Sequence, residues 1–356
     1  MPTNPPIFDG HNDVLLSLHL PERGKGRTFF ERSSDGHLDL PRAREGGFGG
    51  GFFAMFVPNP PESIPAGQPE VEFTENGYEV PYANAIDPGY ARDFTIALMA
   101  RLFRLEENSA GDLKIVRDIQ ELEICLQNNI LAAIMHFEGA EAIDPDLNAL
   151  EVFYRAGLRS LGLVWSRPNA FAYGVPFRFP HTPDTGPGLT EAGKRLVKAC
   201  NLMGIMLDLS HLNEQGFWDV ADISSAPLVA THSNVFGITP STRNLTDKQL
   251  AAIRDSDGMV GLNFGTTVIR PDGLNDPDTS LELMLNQIES LIEQLGIDRV
   301  GFGSDFDGTL IPQEIGDAAG LPKLLDGLRA RGYNEGELTK LANENWVRIL
   351  RKTWQA

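Results

Sequence analysis

Residues 281–308, "LELMLNQIESLIEQLGIDRVGFGSDFDG", decide the fold. Apolar residues at 281, 284, 285, 288, 291, 292 and 295 recur at the spacing of one helix face, and Gly296 supplies a C-terminal stop. The run "RVGFGSDFDG" that follows is nearly continuous and apolar before it turns acidic, as a parallel strand buried on both faces would read. A helix that delivers the chain into such a strand is one unit of an α/β fold.

Seven further runs have the same form: 6–13, 49–57, 130–139, 158–165, 204–211, 227–234 and 258–264. Segments with helical periodicity lie between them, at 90–106, 190–203 with Thr190 as N-cap, 213–223, 246–254 and 321–330, with a closing pair inside 335–353. Eight strands alternating with helices predict a closed (β/α)8 TIM barrel of the metal-dependent hydrolase type, formed as a single domain over residues 1–356. Two connections exceed ordinary turns: about 58–89, with seven prolines, and 166–189. Both follow strands, so both are expected on the C-terminal face, as walls or lids of an active site.

Composition excludes more than it identifies. The chain has 356 residues and a formal net charge of -19, which would repel nucleic acid and an anionic membrane surface. No stretch of 18 apolar residues and no signal-peptide pattern occurs, so a cytoplasmic protein without a membrane anchor is expected. Cys125 and Cys200 lack a C-x-x-C spacing and read as buried free thiols.

Chemistry collects where the strands end. His11 and Asp13 follow the first, Glu138 the third, His211 the fifth, His232 the sixth and Asp305 the eighth. In a strand, residues two apart share a face, so His-x-Asp can offer an imidazole and a carboxylate to one ion. A strand-end His bonded to a neighbour is the commoner case for any one of them; their convergence on one rim favours a metal site. Imidazole and carboxylate ligands without thiolate suit Zn2+, with Mn2+ and Co2+ also possible, and a carboxylate bridge can hold two such ions. Metal-lowered water pKa then implies hydrolysis.

The chain resembles the membrane (renal) dipeptidase family of zinc metallopeptidases, family M19 of the amidohydrolase-like barrels. The resemblance is carried by "DGHND" (9–13), "HFEGAE" (136–141), "LDLSH" (207–211), "THSN" (231–234), "STRN" (241–244) and "GSDFDG" (303–308). It implies two Zn2+, one on His11 and Asp13, the other on His211 and His232, with Glu138 bridging. It also implies Asp305 as proton shuttle, Arg243 as clamp for the C-terminal carboxylate of a dipeptide, and a homodimer as in many relatives. A guanidinium fork suits that clamp, with a surface ion pair as the lesser alternative for Arg243.

Two positions depart from the family. Trp165 stands where a substrate-contacting His is expected, and Gly265 where a Tyr is expected. Tyr173 and His181, in the second long loop, are candidates for a replacement donor, against the alternative that both are ordinary loop residues. These departures keep open a related amidohydrolase acting on N-acyl amino acids or β-lactam-type amides, and behind it an inactive ligand-binding relative. His136 is read as core packing or support for the ligands, and Asp9 and Asp307 as hydrogen-bonding groups beside them.

Overall fold

A computed structural model describes residues 4–60, 71–74 and 76–354 of the chain. Its strands are β1 (Ile7–Asn12), β2 (Phe48–Phe56), β3 (Glu72–Thr74), β4 (Gly77–Glu79), β5 (Leu113–Ile115), β6 (Leu131–Glu138), β7 (Leu158–Gly162), β8 (Arg178–Phe179), β9 (Met206–Asp208), β10 (Val229–Ala230), β11 (Met259–Leu262) and β12 (Val300–Phe302). Eight of them pair in parallel in the order β1, β2, β6, β7, β9, β10, β11, β12, and β12 returns to β1, closing the barrel. All eight expected runs are in it.

The opening unit shows why it forms. The helix Leu281–Leu295 starts where the Ser280 side chain accepts from the Glu282 N–H, and it stops at Gly296, whose φ of 83° disfavours a residue with a Cβ. Met284, Leu285, Ile288, Leu291 and Leu295 are buried on its inner face. That face meets β11, β12 and the helices Asp247–Asp255 and Leu321–Ala330. Each such side chain contributes about 1.5–3 kcal/mol over its exposed state, so Ile288→Asp would lose the burial and strand a charge.

The barrel floor is apolar. Phe8, Phe52, Ala132, Ile134, Met206, Val229 and Met259 pack there around Trp346, which comes from the last helix, Asn345–Thr353. A Cβ on Gly10, Gly261 or Gly301 would come within 2.6–3.0 Å of the indole, so these strand glycines make its room. The indole N–H donates to the Phe302 carbonyl at 3.1 Å.

Three features were not expected. The runs at 204–211, 227–234 and 299–308 are strands only in part: the strands end at Asp208, Ala230 and Phe302, and His211, His232 and Asp305 follow on loops, with one isolated bridge from Phe306 to Asn12. A short extra strand, β5, pairs with the lower part of β6 through Leu113, Lys114 and Ile115. The two long connections are joined, because β3, β4 and β8 form a second, antiparallel sheet with Tyr78 opposite Phe179. Residues 61–70 and 75 of the first connection lie outside the described residues.

Candidate metal centre and substrate pocket

His11 lies on β1, and Asp13 stands at the N-cap position of the next helix, Val14–His19, with its side chain making no capping bond. Glu138 is the last residue of β6, across from Phe56 on β2 and Gly162 on β7. His211 and His232 stand just past β9 and β10. All five are buried.

Glu138 sits between two ligand sets. One of its carboxylate oxygens, Oε2, is 3.4 Å from His11 Nε2, and the other, Oε1, is 3.0 Å from His211 Nε2. His11 Nε2 is also 3.5 Å from Asp13 Oδ2, and the Nε2 atoms of His211 and His232 are 3.1 Å apart. The ligand atoms of His11, Asp13 and Glu138 lie within 4.8 Å of one another, as do those of Glu138, His211 and His232. His11 Nδ1 and Nε2 and Asp13 Oδ1 are buried without a hydrogen-bond partner, so the residues fit a cation on each side of Glu138.

A third grouping, His11, Asp208 and His232, is also close enough. Its carboxylate is already occupied: Asp208 accepts from the Ser210 and Thr231 hydroxyls, both at 2.6 Å, and from the Thr231 N–H at 2.8 Å. That role sets the tautomer of His232. With its proton given to Asp208, the Thr231 hydroxyl can only accept from His232 Nδ1, 2.8 Å away, which leaves the lone pair on Nε2, the atom turned to His211. Ser166 Oγ lies 2.9 Å from His211 Nδ1 and holds that ring in place by a hydrogen bond.

Electrostatics argues for cations as well. Burial pushes the Glu138 carboxyl up to about 7 and raises Asp305 too. Burial holds His211 and His232 well below the ordinary histidine value, with help from the Arg243 charge. It works against a charged His11 as well, but Glu138 and Asp13 overcome it and raise that imidazole. Clustered carboxylates buried this deeply ionise together only when positive charge is supplied among them.

Asp305 reaches the same pocket from a left-handed backbone, φ 58°, two residues before Asp307 at φ 68°. Such conformations cost about 1–3 kcal/mol each in non-glycine residues and concentrate at functional sites. Contacts around them hold the loop. The Asp305 N–H donates to the His11 carbonyl at 2.9 Å, and Asn263 Nδ2 donates to Asp305 Oδ2 at 2.9 Å. Asp9 accepts from Ser304, and Asp307 accepts from Arg27 and the His37 N–H. Gly308 completes the approach, since a Cβ there would lie 2.2 Å from Asp13 Oδ2 and 2.3 Å from Asp305 Oδ1.

The pocket above the ligands has a volume of about 350 Å³ and is lined in part by Asp13, Glu138, Trp165, His211, Arg243 and Asp305. Arg243 is buried and donates to the carbonyls of Ser210 and His232, so it is no surface ion pair. Trp165 packs between Phe56 and Phe177, with ring centroids 5.0 and 5.5 Å away. At Gly265 a Cβ would lie 2.9 Å from Asn263 Oδ1, which accepts the Gly265 N–H.

Tyr173 and His181 are not brought to this pocket. His181 Nδ1 turns to the Thr182 carbonyl at 2.7 Å, and the Tyr173 carbonyl accepts from Asn213. His136 lies deeper, bonded to Ser160 at 2.9 Å, and burial lowers it to about 3. Sequence reasoning missed Asn263, whose signal was its place at the end of β11. It also missed Arg167, wholly buried, which binds Glu141 at 2.7 Å and Asn59 at 2.9 Å while lying over Trp165.

The family model for membrane dipeptidase, peptidase family M19, matches residues 2–356, and the chain belongs to that family. It is similar to a solved metallo peptidase from Rhodobacter sphaeroides, liganded with a phosphinate mimic of the dipeptide L-Ala-D-Ala: 50% identity, TM-score 0.92, covering 99% of this chain and 100% of that one. The solved metallo peptidase "dipeptidase AC" is 51% identical at TM-score 0.92, with the same coverage. A Klebsiella pneumoniae protein described by its place in the pqqA 5′ region is 47% identical over 75% of this chain and 99% of its own length. Among the described residues no helix is long and apolar enough to cross a membrane.

Proposed function

We propose that this member of the membrane dipeptidase family hydrolyses dipeptides that carry a free C-terminal carboxylate, using two divalent cations, Zn2+ in the first instance. The observation that carries the reading is the division of Glu138, one oxygen turned to His11 and the other to His211. His11, Asp13 and Glu138 would hold one ion, and Glu138, His211 and His232 the other. Bound there, the ions would supply hydroxide at neutral pH and polarise the scissile carbonyl.

The chain's own side chains do the rest. Arg243, fixed by two backbone carbonyls, receives the substrate carboxylate and sets which amide faces the centre. Asp305, oriented by Asn263, is placed to take a proton from the attacking water and give it to the departing amine nitrogen. Trp165 and Phe56 form an apolar wall that keeps bulk water from the opposite side. Similarity to the structure holding an L-Ala-D-Ala mimic supports the same substrate class, with a D-residue tolerated on the C-terminal side.

The test is turnover of a panel of L,L- and L,D-dipeptides, N-acyl amino acids and a β-lactam by protein with zinc supplied, alongside metal analysis. Dipeptide cleavage lost on chelation and restored by Zn2+ is expected. Preference for N-acyl amino acids or the lactam would assign the chain to the other amidohydrolase reading, and the absence of bound or restorable metal would end the mechanism. Asp305→Asn should retain both metals while kcat falls about 10²–10⁴-fold.

A further inference from the structure

A second cavity, about 700 Å³, adjoins the catalytic pocket. The two share Phe177, Thr267, Gly308 and Thr309, so they are continuous across a neck of mostly small residues. Beyond the neck the lining is mostly apolar, with Phe73, Tyr78 and Val80 from the joined loops, Leu274 from the segment after β11 and Leu310 from the segment after β12; Asp272, Asn275 and Asn76 are among its polar members. Val71, Phe73, Leu274 and Leu310 are four of the eight exposed large hydrophobic residues among those described, and all four line this one cavity. Scattered apolar residues are ordinary on a surface, whereas a cluster at the mouth of an active site marks something that is covered in use.

We infer that this cavity receives the side chain of the substrate's C-terminal residue and makes the enzyme prefer a large apolar one there. The inference rests on the dipeptidase reading above. Position selects this occupant: Arg243 holds the C-terminal carboxylate and lines the catalytic pocket together with Thr267, which also lines the second cavity. Tyr78 of the cavity wall pairs with Phe179, and the carbonyl of the neighbouring Arg178 accepts from the Thr242 N–H at 3.2 Å, one residue before Arg243. A residue anchored by its carboxylate at Arg243 therefore has its Cα beside the neck. Gly308, which has no side chain to close that neck, faces both spaces. The N-terminal residue lies on the other side of the metals, beside Trp165 and Phe56.

The experiment compares kcat/KM for alanyl dipeptides ending in glycine, alanine, leucine or phenylalanine, the last three in both configurations. Burying a leucine-sized side chain should raise kcat/KM at least about ten-fold over glycine in the better configuration. In Leu310→Asp and Leu274→Asp that leucine-to-glycine ratio should fall to within about two-fold of unity, since a carboxylate in the wall opposes apolar burial. Measured on one preparation, the ratio does not depend on how much of it is folded. A flat series in the wild type, or an unchanged ratio in both variants, overturns the inference while leaving the dipeptidase reading intact. Loss of a dimer on sedimentation with the ratio unchanged would assign the apolar cluster to a second copy of the chain, and equally overturn it. Failure of the wild type to cleave any of these dipeptides would instead remove the reading beneath.

Discussion

The two ends of the barrel are built by the same strands and do opposite things with what they bury. On β6, Ala132 and Ile134 meet Trp346 in the floor, His136 lies between, and Glu138 ends at the metal rim. The floor gains free energy from burial itself, roughly in proportion to area and packing. At the rim burial is a cost, because carboxylates and imidazoles lose water there and are compensated only by fixed partners and cations. One end therefore depends on volume, and the other on charge.

The comparison is tested most severely at the rim. Chelation should abolish turnover, and Glu138→Gln should leave at most one bound metal. Groups that only support metal ligands are worth roughly 10–100-fold, so losing the shared ligand should cost kcat/KM more than about 100-fold. Elemental analysis with steady-state kinetics checks both, and full activity in the variant would break the bridging assignment. The floor should respond in the other currency. Trp346→Ala leaves a large void and should destabilise the metal-loaded protein by about 3–5 kcal/mol in urea unfolding, with kcat/KM per folded molecule within about two-fold of wild type. If activity fell while stability held, floor and rim would be coupled and the division wrong.

The same contrast explains what could be read from sequence. Parallel strands buried on both faces leave near-continuous apolar runs, and a ligand-type residue near the end of a run stands out, so the eight barrel strands and the convergence of His11, Asp13, Glu138, His211 and His232 on one rim were legible. The joined loops were not. The Tyr78 to Phe179 pairing links segments about a hundred residues apart, and two- or three-residue strands carry no periodicity of their own. The three residues of β5 escaped for the same reason. Nor does composition disclose a left-handed Asp305, whose conformation is imposed by contacts with His11 and Asn263. Asp208 was visible in "LDLSH", but its employment by Ser210 and Thr231 exists only in three dimensions.

That employment gives the smallest and most discriminating effect. Thr231→Val keeps the volume of the side chain and removes one hydroxyl, which accepts from His232 Nδ1 and donates to Asp208. His232 then has no acceptor to hold its proton on Nδ1, and part of the population carries it on Nε2, where it blocks the ligand atom. Asp208 keeps the Ser210 hydroxyl and the Thr231 N–H, so the local fold should persist. Affinity for the ion on the His211 side should fall roughly 10–100-fold, while kcat/KM at saturating metal stays near wild type. Competitive chelator titration measures the first and kinetics in excess zinc the second. A drop in stability with unchanged metal affinity would place Thr231 with the volume-dependent floor; the opposite result places it, and Asp208 behind it, with the rim whose charges the metals balance.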